Sequence, residues 1–236
     1  MSKWTTKVIT SIPEAFPGIL GQSVIGNALK KGIWSLETIN LRDFAYDKRG
    51  SIDDTPYGGG PGMIIRPDVV EKAIKKATEN MEKDLPMVYM TPVGEPLKQK
   101  KLKYFSCSKG IIILCGRYEG VDERVFDAYD FHKISIGDFV VSGGEVGAMT
   151  LIEGCVRLLP GVLGKKESLN EESFNDNLLE YPQYTRPSTW EDMNNKKRSV
   201  PEVLISGDHK KIQDWRKKKS LVNTKSNRPD LKNNKD

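Results

Sequence analysis

Three short stretches of this chain place glycine or proline and polar side chains directly after runs of apolar residues. They read YMTPVG at 89–94, CGRYEG at 115–120 and SIGDFVVSGGE at 135–145. In open α/β sheets, ligands bind beyond the carboxyl ends of the strands, and glycines let a ligand approach the main chain closely. One such loop is more often only a turn, but three together predict a site that holds a flat heterocycle through backbone hydrogen bonds.

Several common chemistries are disfavoured at such a site. No GxxxxGK[ST] motif occurs and no GxGxxG follows a predicted strand, which argues against ATP and NAD. The chain has only two histidines and three widely spaced cysteines, so neither a metal site nor a disulfide framework is predicted. Cys115 lies in an apolar run without a nearby histidine, which favours an inert buried thiol over a nucleophile for acyl transfer.

A fourth stretch, DTPYGGGPGM at 54–63, contains three successive glycines between prolines. Such a segment cannot form a regular helix or strand. It is either a mobile surface loop or a backbone that lies closely against a ligand or a nucleotide.

Composition and charge limit the class of protein. The 236 residues are 37% apolar, enough for one large or two small domains. No apolar run approaches the roughly 20 residues of a membrane span, and the N-terminus does not resemble a signal peptide, so we expect a cytoplasmic protein without a membrane partner. Residues 216–236 carry eight Lys or Arg and two Asp, while the whole chain is only +5. This basic tail is either a solvated terminus or a contact for a polyanion. Nucleic acid is the first candidate for such a polyanion.

The elements that must position these stretches alternate along the first 160 residues. Apolar runs typical of buried parallel strands occur at KVITSI (7–12), TINL (38–41), MVYMTP (87–92), IIILCG (111–116) and KISIG (133–137). Helical spacing of apolar residues predicts helices at 67–80, 95–106, 121–130 and 145–161. The alternation predicts a layered α/β domain with crossover helices.

The composition changes after Gly164. Residues 165–190 are polar, weakly periodic and interrupted by prolines, which is typical of a linker with a function or of disorder. A small second domain follows, and HKKIQDWRKKKSL at 209–221 is predicted to be a basic amphipathic helix. We therefore divide the chain into a domain at 1–164, an interdomain linker at 165–187 and a helical domain with a basic tail at 188–236.

These stretches resemble the TrmD family of bacterial tRNA (guanine-N1)-methyltransferases, which is part of the SPOUT superfamily. The matching pieces, in chain order, are PYGGGPGM, CGRYEGVDERV, SIGDFVVSGGE, RLLPGVLG, EESF, YPQYTRP and LISGDHKKIQDWR. They cover nearly the whole chain. The resemblance implies a SPOUT-type parallel sheet with a deep C-terminal trefoil knot, a small, mostly helical C-terminal domain, and a homodimer with shared active sites. It further implies methylation of tRNA at N1 of guanosine-37, just 3′ of the anticodon, within the anticodon stem-loop.

The resemblance also implies which residues contact the ligands. The methyl donor would be S-adenosylmethionine, bent between the three glycine-rich strand ends. The implied cofactor contacts are Tyr89, Met90, Thr91, Pro92, Gly116, Tyr118, Gly120, Ser135, Ile136, Gly137, Asp138, Phe139, Val140, Val141, Gly143 and Gly144. The implied tRNA contacts are Tyr57, Gly58, Gly59, Ser173 and Arg186, with further phosphate contacts from the second domain and basic tail.

The reaction makes demands that three further residues would meet. Guanine N1 carries a proton at neutral pH, so a general base must remove it, and negative charge then spreads to O6. The family's base is an aspartate, and its position is Glu172 here, with Glu171 as a possible substitute. The family's catalytic arginine falls on Arg157, although Glu153 four residues earlier allows an ordinary exposed ion pair instead. Glu119 matches a carboxylate near the methionine part of the cofactor or the target guanine, although a carboxylate at a helix start is also common.

Three other positions depart from the family pattern. Gly147 replaces a common proline and is expected to loosen a cofactor loop, whereas Phe139 and Val141 replace a tyrosine and a leucine. Two alternatives stay open: a SPOUT methyltransferase that acts on another RNA, and a non-catalytic RNA-binding homologue. Assistance by Mg²⁺ cannot be read from the sequence, and no metal ligands are predicted.

Overall fold

The computed structural model describes residues 3–79, 85–163, 173–174 and 177–232. The chain separates into two units, Met1–Gly164 and Lys165–Asp236. We describe each unit by itself. The division into a linker at 165–187 and a domain at 188–236 stays a prediction.

A five-stranded parallel sheet forms the centre of the first unit. Its strands are β1 (Trp4–Thr10), β2 (Trp34–Asn40), β5 (Met87–Pro96), β6 (Gly110–Cys115) and β7 (Phe131–Ser135). They lie in the order β2-β1-β6-β5-β7, and every pairing is parallel. Two very short strands, β3 (Asp53–Asp54) and β4 (Ile64–Ile65), pair separately and antiparallel. All five predicted strands are present, which confirms the α/β class with a parallel sheet.

Helices cover both faces of the sheet. They are α1 (Ser23–Lys30), α2 (Pro67–Thr78), α3 (Gln99–Cys107), α4 (Arg124–Ala128) and α5 (Glu145–Val156). Buried side chains of α1, α3 and α5 join one apolar cluster, and those of α2 and α4 join a second cluster on the other face. The central strand β6 is buried along its whole length because both faces are covered. This arrangement explains why its sequence is apolar without alternation.

The observed helices differ from the predicted ones at their ends. The helix predicted at 121–130 spans only Arg124–Ala128, and the helix predicted at 67–80 ends at Thr78. The helix predicted at 95–106 begins at Gln99, because β5 continues to Pro96. The helix predicted at 145–161 ends as an α-helix at Val156. Helix α1 was not predicted from the sequence.

Strand β5 contains an irregularity at the end that faces the predicted site. Met90 and Glu95 both pair with Ile134 of β7, so the residues between them leave the ladder. A side chain at Gly94 would collide with the backbone of Lys133 and Ile134. The absence of a side chain there lets Thr91–Val93 turn outward while the strand stays close to β7.

The described part of the second unit contains a hairpin and two α-helices. The hairpin consists of β8 (Thr189–Glu191) and β9 (Lys197–Ser199), and it is followed by α6 (Glu202–Ile205) and α7 (His209–Asn227). Asp208 caps α7 by accepting a hydrogen bond of 3.1 Å from the backbone N–H of Lys211. The predicted basic helix is therefore present, and it extends six residues beyond its predicted end at 221. Within the described residues, no helix is long and apolar enough to span a membrane.

Candidate active site

A cavity of about 340 Å³ lies at the carboxyl ends of β5, β6 and β7. The three glycine-rich strand ends meet there. Fourteen of the sixteen residues named as cofactor contacts line it: Tyr89, Met90, Thr91, Pro92, Gly116, Tyr118, Gly120, Ser135, Ile136, Phe139, Val140, Val141, Gly143 and Gly144. The other two, Gly137 and Asp138, lie in the same loop after β7 but outside this lining.

The loops that follow β6 and β7 are fastened to each other. The backbone N–H of Gly144 donates to the carbonyl of Gly116 at 2.9 Å, and Arg117 and Gly143 form an antiparallel bridge. A side chain at Gly144 would come within 2.9 Å of the Cα of Cys115. A side chain at Gly116 would come within 2.7 Å of the Tyr89 hydroxyl. These glycines therefore permit loop-to-loop packing, a role that the sequence did not reveal.

Glu119 lines the cavity and is held by the glycine-rich loop 54–63. Its backbone N–H donates to the carbonyl of Met63 at 2.9 Å, and the N–H of Ile65 donates to the carbonyl of Gly120 at 2.9 Å. Gly62 has a φ of +88°, and a side chain there would fall on the Glu119 side chain. The loop thus covers Glu119 closely, at a position that only glycine fits.

The tip of loop 54–63 is open to solvent. Tyr57 is almost fully exposed. Gly58 and Gly59 have positive φ angles, and nothing lies within 4 Å of a side chain built on either. The structure therefore places these three predicted tRNA contacts on an accessible loop in the same unit as the cavity.

One wall of the cavity is aromatic. The rings of Tyr89 and Phe126 lie 4.6 Å apart, and the Nζ of Lys133 lies 4.4 Å from the centre of the Phe126 ring. That Nζ also contacts the Oε1 of Glu123 at 2.5 Å. Burial raises the pKa of the Tyr89 phenol, so its hydroxyl stays protonated at neutral pH.

An ion pair that the sequence analysis did not select lies at the base of the cavity. Arg117 lines the cavity, and its Nη2 donates to the Oε2 of Glu145 at 3.2 Å. Glu145 is only 4% exposed, and its Oε1 accepts a hydrogen bond of 2.7 Å from the Thr10 hydroxyl. The pair joins the end of β1, the loop after β6 and the start of α5.

The cavity lining also contains residues that were not named as cofactor contacts from the sequence. They are Val93, Val121, Glu123, Phe126, Lys133, Ile134, Ser142 and Gly147. The position of Gly147 corrects an expectation. It lies in the first turn of α5, not in a loop, and a side chain there would come 2.9 Å from the Cε of Met90. Gly147 therefore allows α5 to pack tightly and does not loosen a cofactor loop.

Five predicted residues do not belong to the described lining of this cavity. Glu171 and Glu172 lie outside the described residues. Arg157 forms the C-terminal cap of α5 and does not line the cavity. In the second unit, the Ser173 hydroxyl accepts from the backbone N–H of Glu180 at 3.0 Å, and Arg186 is exposed.

Two observations concern the cysteines and the possible metal ligands. Cys115 is buried, and this burial raises the pKa of its thiol well above the usual range. The part of the chain that the structure describes contains no cluster of three or more His, Cys, Asp or Glu that could hold a metal.

Comparisons with known proteins show which family the sequence of this chain matches. The model of the family described as "tRNA (Guanine-1)-methyltransferase TrmD" matches residues 4–234. The tRNA (guanine-N(1)-)-methyltransferase of Caulobacter vibrioides (strain ATCC 19089 / CIP 103742 / CB 15) is 52% identical over 230 residues, which are 97% of this chain and 90% of the relative. The protein of the same name from Ruegeria sp. (strain TM1040) is 48% identical over 228 residues, 97% of this chain and 91% of the relative. The chain belongs to the TrmD family of tRNA (guanine-1)-methyltransferases.

Proposed function

We propose that this protein methylates N1 of guanosine-37 in tRNA, the nucleotide 3′ of the anticodon, with S-adenosylmethionine as the methyl donor. The observation that carries the proposal is the family match over residues 4–234, in which the matched motifs build the cavity. Relatives about half identical to this chain carry the name of this activity. The action on tRNA also supports a cytoplasmic location.

The cavity fits S-adenosylmethionine. Its volume of about 340 Å³ is within the range of small-molecule sites. The aromatic wall of Tyr89 and Phe126 suits a nucleoside, and the turns at Thr91–Val93, 116–120 and 135–144 bring backbone groups to the lining. When bound, S-adenosylmethionine supplies an electrophilic methyl group on its sulfonium sulfur.

In this mechanism the protein removes one proton from the guanine and stabilises the negative charge that develops on it. The carboxylate of Glu172 accepts the N1 proton of guanine, so that the N1 lone pair can attack the methyl carbon. Arg157 stabilises the negative charge that develops on O6. Glu119, on the cavity wall under loop 54–63, faces the positive end of the methyl donor or the target guanine. Glutamate is longer than aspartate by one methylene, so the Glu172 carboxylate reaches a different position. Removal of the N1 proton by Glu172 is therefore the step to test first.

The RNA partner follows from the target atom. N1 lies on the Watson–Crick edge of guanine, so the base must be unpaired and turned out of its stack, which a loop allows. We assign Tyr57, Gly58 and Gly59 at the exposed loop tip to contacts near this nucleotide. The basic helix α7 and the basic tail contact phosphates of the anticodon stem.

We further propose the fold and assembly that the family resemblance implies. The loops after β6 and β7, which are fastened at Gly116 and Gly144, form part of a deep trefoil knot in the first unit. Two copies form a homodimer with shared active sites. An apolar surface supports the second idea: Ile19 is 65% exposed and Val146 is 58% exposed. Val146 is one helical turn from Met149, whose Cε would lie 3.2 Å from a side chain built on Gly18, the neighbour of Ile19.

Transfer of a labelled methyl group tests the proposed function. The assay compares an anticodon-matched tRNA transcript with the same transcript carrying adenosine at position 37. We expect wild-type protein and Glu172→Asp to label only the first transcript, and Glu172→Gln to lose at least about a hundredfold in rate, because general-base catalysis contributes about 10²–10⁴-fold. Full activity of Glu172→Gln would move the base elsewhere, with Glu171 next. Absence of labelling with every tRNA would contradict the proposed substrate.

A further inference from the structure

We propose that Arg117 binds the carboxylate of the amino-acid tail of S-adenosylmethionine, and that Glu145 orients the Arg117 guanidinium for this contact. The inference rests on the proposed function, because it takes S-adenosylmethionine as the occupant of the cavity. Neither the sequence pattern nor the family resemblance gave Arg117 or Glu145 a role.

The carboxylate of S-adenosylmethionine requires a hydrogen-bond donor in the cavity. The tail of S-adenosylmethionine ends in an amino acid, so a carboxylate enters the cavity together with the sulfonium and the ammonium group. A carboxylate that leaves water without finding donors is strongly destabilised. Arginine meets this need best, because its planar guanidinium offers paired N–H donors with the spacing of the carboxylate oxygens.

Two cations line the cavity among the described residues, and only one is suitably placed. The Nζ of Lys133 is occupied by the Oε1 of Glu123 at 2.5 Å and by the ring of Phe126 at 4.4 Å. Arg117 uses Nε and Nη2 toward Glu145, at 3.4 and 3.2 Å. Neither bond uses Nη1, and the Arg117 side chain is 27% exposed. The guanidinium therefore has an edge left for a ligand.

Contacts with buried groups fix the orientation of the Arg117 guanidinium. Glu145 is almost fully buried, and its Oε1 also accepts from the Thr10 hydroxyl at 2.7 Å. A side chain at Gly143 would come 2.8 Å from the Arg117 Nε and 2.9 Å from its Cζ. The guanidinium thus occupies space that only glycine at 143 leaves open. We infer that Glu145 is a positioning residue and Arg117 a cofactor-binding residue.

The cavity wall also matches the opposite charges of the tail. Glu119 lies two residues after Arg117 and lines the same cavity. A carboxylate and a guanidinium on one loop are complementary to a ligand tail that carries both positive and negative groups.

Calorimetric binding of three adenosine compounds to the full chain tests the inference. The probes are S-adenosylhomocysteine, its decarboxylated analogue S-adenosyl-3-thiopropylamine, and 5′-methylthioadenosine, which lacks the amino-acid tail. We expect wild-type protein to prefer S-adenosylhomocysteine over the decarboxylated analogue by about tenfold to a hundredfold, the range for a hydrogen bond to a charged group. Arg117→Gln should remove this preference and leave the affinity for 5′-methylthioadenosine within about twofold, because only the carboxylate contact is lost.

Lys133→Gln is the matched control, because it removes the other cation that lines the cavity. It should keep the preference for the carboxylate. Glu145→Gln, which keeps the side-chain shape, should give an intermediate preference, because the guanidinium keeps its charge but loses its charged partner. A preference equal to that of wild type in Glu145→Gln would overturn the positioning role.

Three outcomes would overturn the assignment of Arg117. Arg117→Gln could keep the preference, it could lose 5′-methylthioadenosine to the same extent as S-adenosylhomocysteine, or Lys133→Gln could abolish the preference instead. Wild-type protein that binds none of the three probes would overturn the proposed function, and this inference with it.

Discussion

The three cysteines of this chain differ in exposure, and exposure decides their reactivity. Cys107 is exposed, whereas Cys115 and Cys155 are buried. Burial raises the pKa of Cys115 well above its usual range and that of Cys155 to about 12. Only thiolates react with iodoacetamide, and a thiol stays protonated at any pH below its pKa. At pH 8 we therefore expect labelling of Cys107 alone in native protein and of all three residues in denaturant.

Peptide mass spectrometry of the labelled protein checks this prediction. Labelling of Cys115 at the rate of Cys107 would contradict the buried, protonated thiol. It would also reopen cysteine nucleophile chemistry, which the sequence disfavoured.

Some residues of the site could be predicted from the sequence, and others could not. The glycine-rich strand ends were predicted to meet, because the ends of neighbouring parallel strands share one edge of a sheet, and the structure brings them together. Arg117 and Glu145 were missed, because their importance comes from partners far away in the chain. Glu145 is 135 residues from Thr10 and 28 from Arg117. No local pattern distinguishes such a buried carboxylate from an ordinary one at a helix start.

Among the elements, loop 54–63 controls the position of Glu119. Gly62 has a φ of +88°, and a side chain there would press on Glu119. We expect Gly62→Ala to displace Glu119 and to lower kcat by at least tenfold, because a misplacement of about 1 Å can cost about a hundredfold. Steady-state methyl transfer measures the effect.

Gly32→Ala is the control for backbone strain alone. Gly32 has a φ of +70°, and nothing lies within 4 Å of a side chain built there. Both substitutions should destabilise the fold by about 1–2 kcal/mol, the cost of a left-handed conformation for alanine. If kcat fell equally in the two variants, Gly62 would act through strain and not through Glu119.

Strand β6, which is buried on both faces, was predictable, whereas helix α1 and the hairpin β8–β9 were not. Strand β6 has an uninterrupted apolar run because both of its faces are covered. Helix α1 has only eight residues and no side-chain cap, and it contains Gly26 at the point where the backbone of Gly21 approaches closely. The strands of the hairpin β8–β9 are exposed throughout, so burial imposes no alternation on their sequence.

For the whole molecule, the central prediction is assembly. If Ile19 and Val146 lie in a homodimer interface, a charge at either position would be desolvated there, and dimerisation would fail. We expect wild-type protein to sediment as a dimer and the double variant Ile19→Glu, Val146→Glu to sediment as a folded monomer. Because the proposed active sites are shared, this monomer should lose at least about a hundredfold of the methyl-transfer rate.

Met193→Glu serves as the control for an added charge, since Met193 is fully exposed on the hairpin tip of the second unit. It should remain a dimer. A wild-type monomer, or a double variant that is still dimeric and active, would contradict the proposed interface.

The chemical identity and the position of the methyl group in the product decide whether the protein catalyses the proposed reaction. Wild-type protein would methylate an anticodon-matched tRNA, and fragments of that tRNA would be analysed by nuclease digestion and nucleoside mass spectrometry. We predict 1-methylguanosine, found only in the fragment that contains position 37. A methyl group on another guanine atom, on a ribose hydroxyl or at another nucleotide would contradict the proposed reaction.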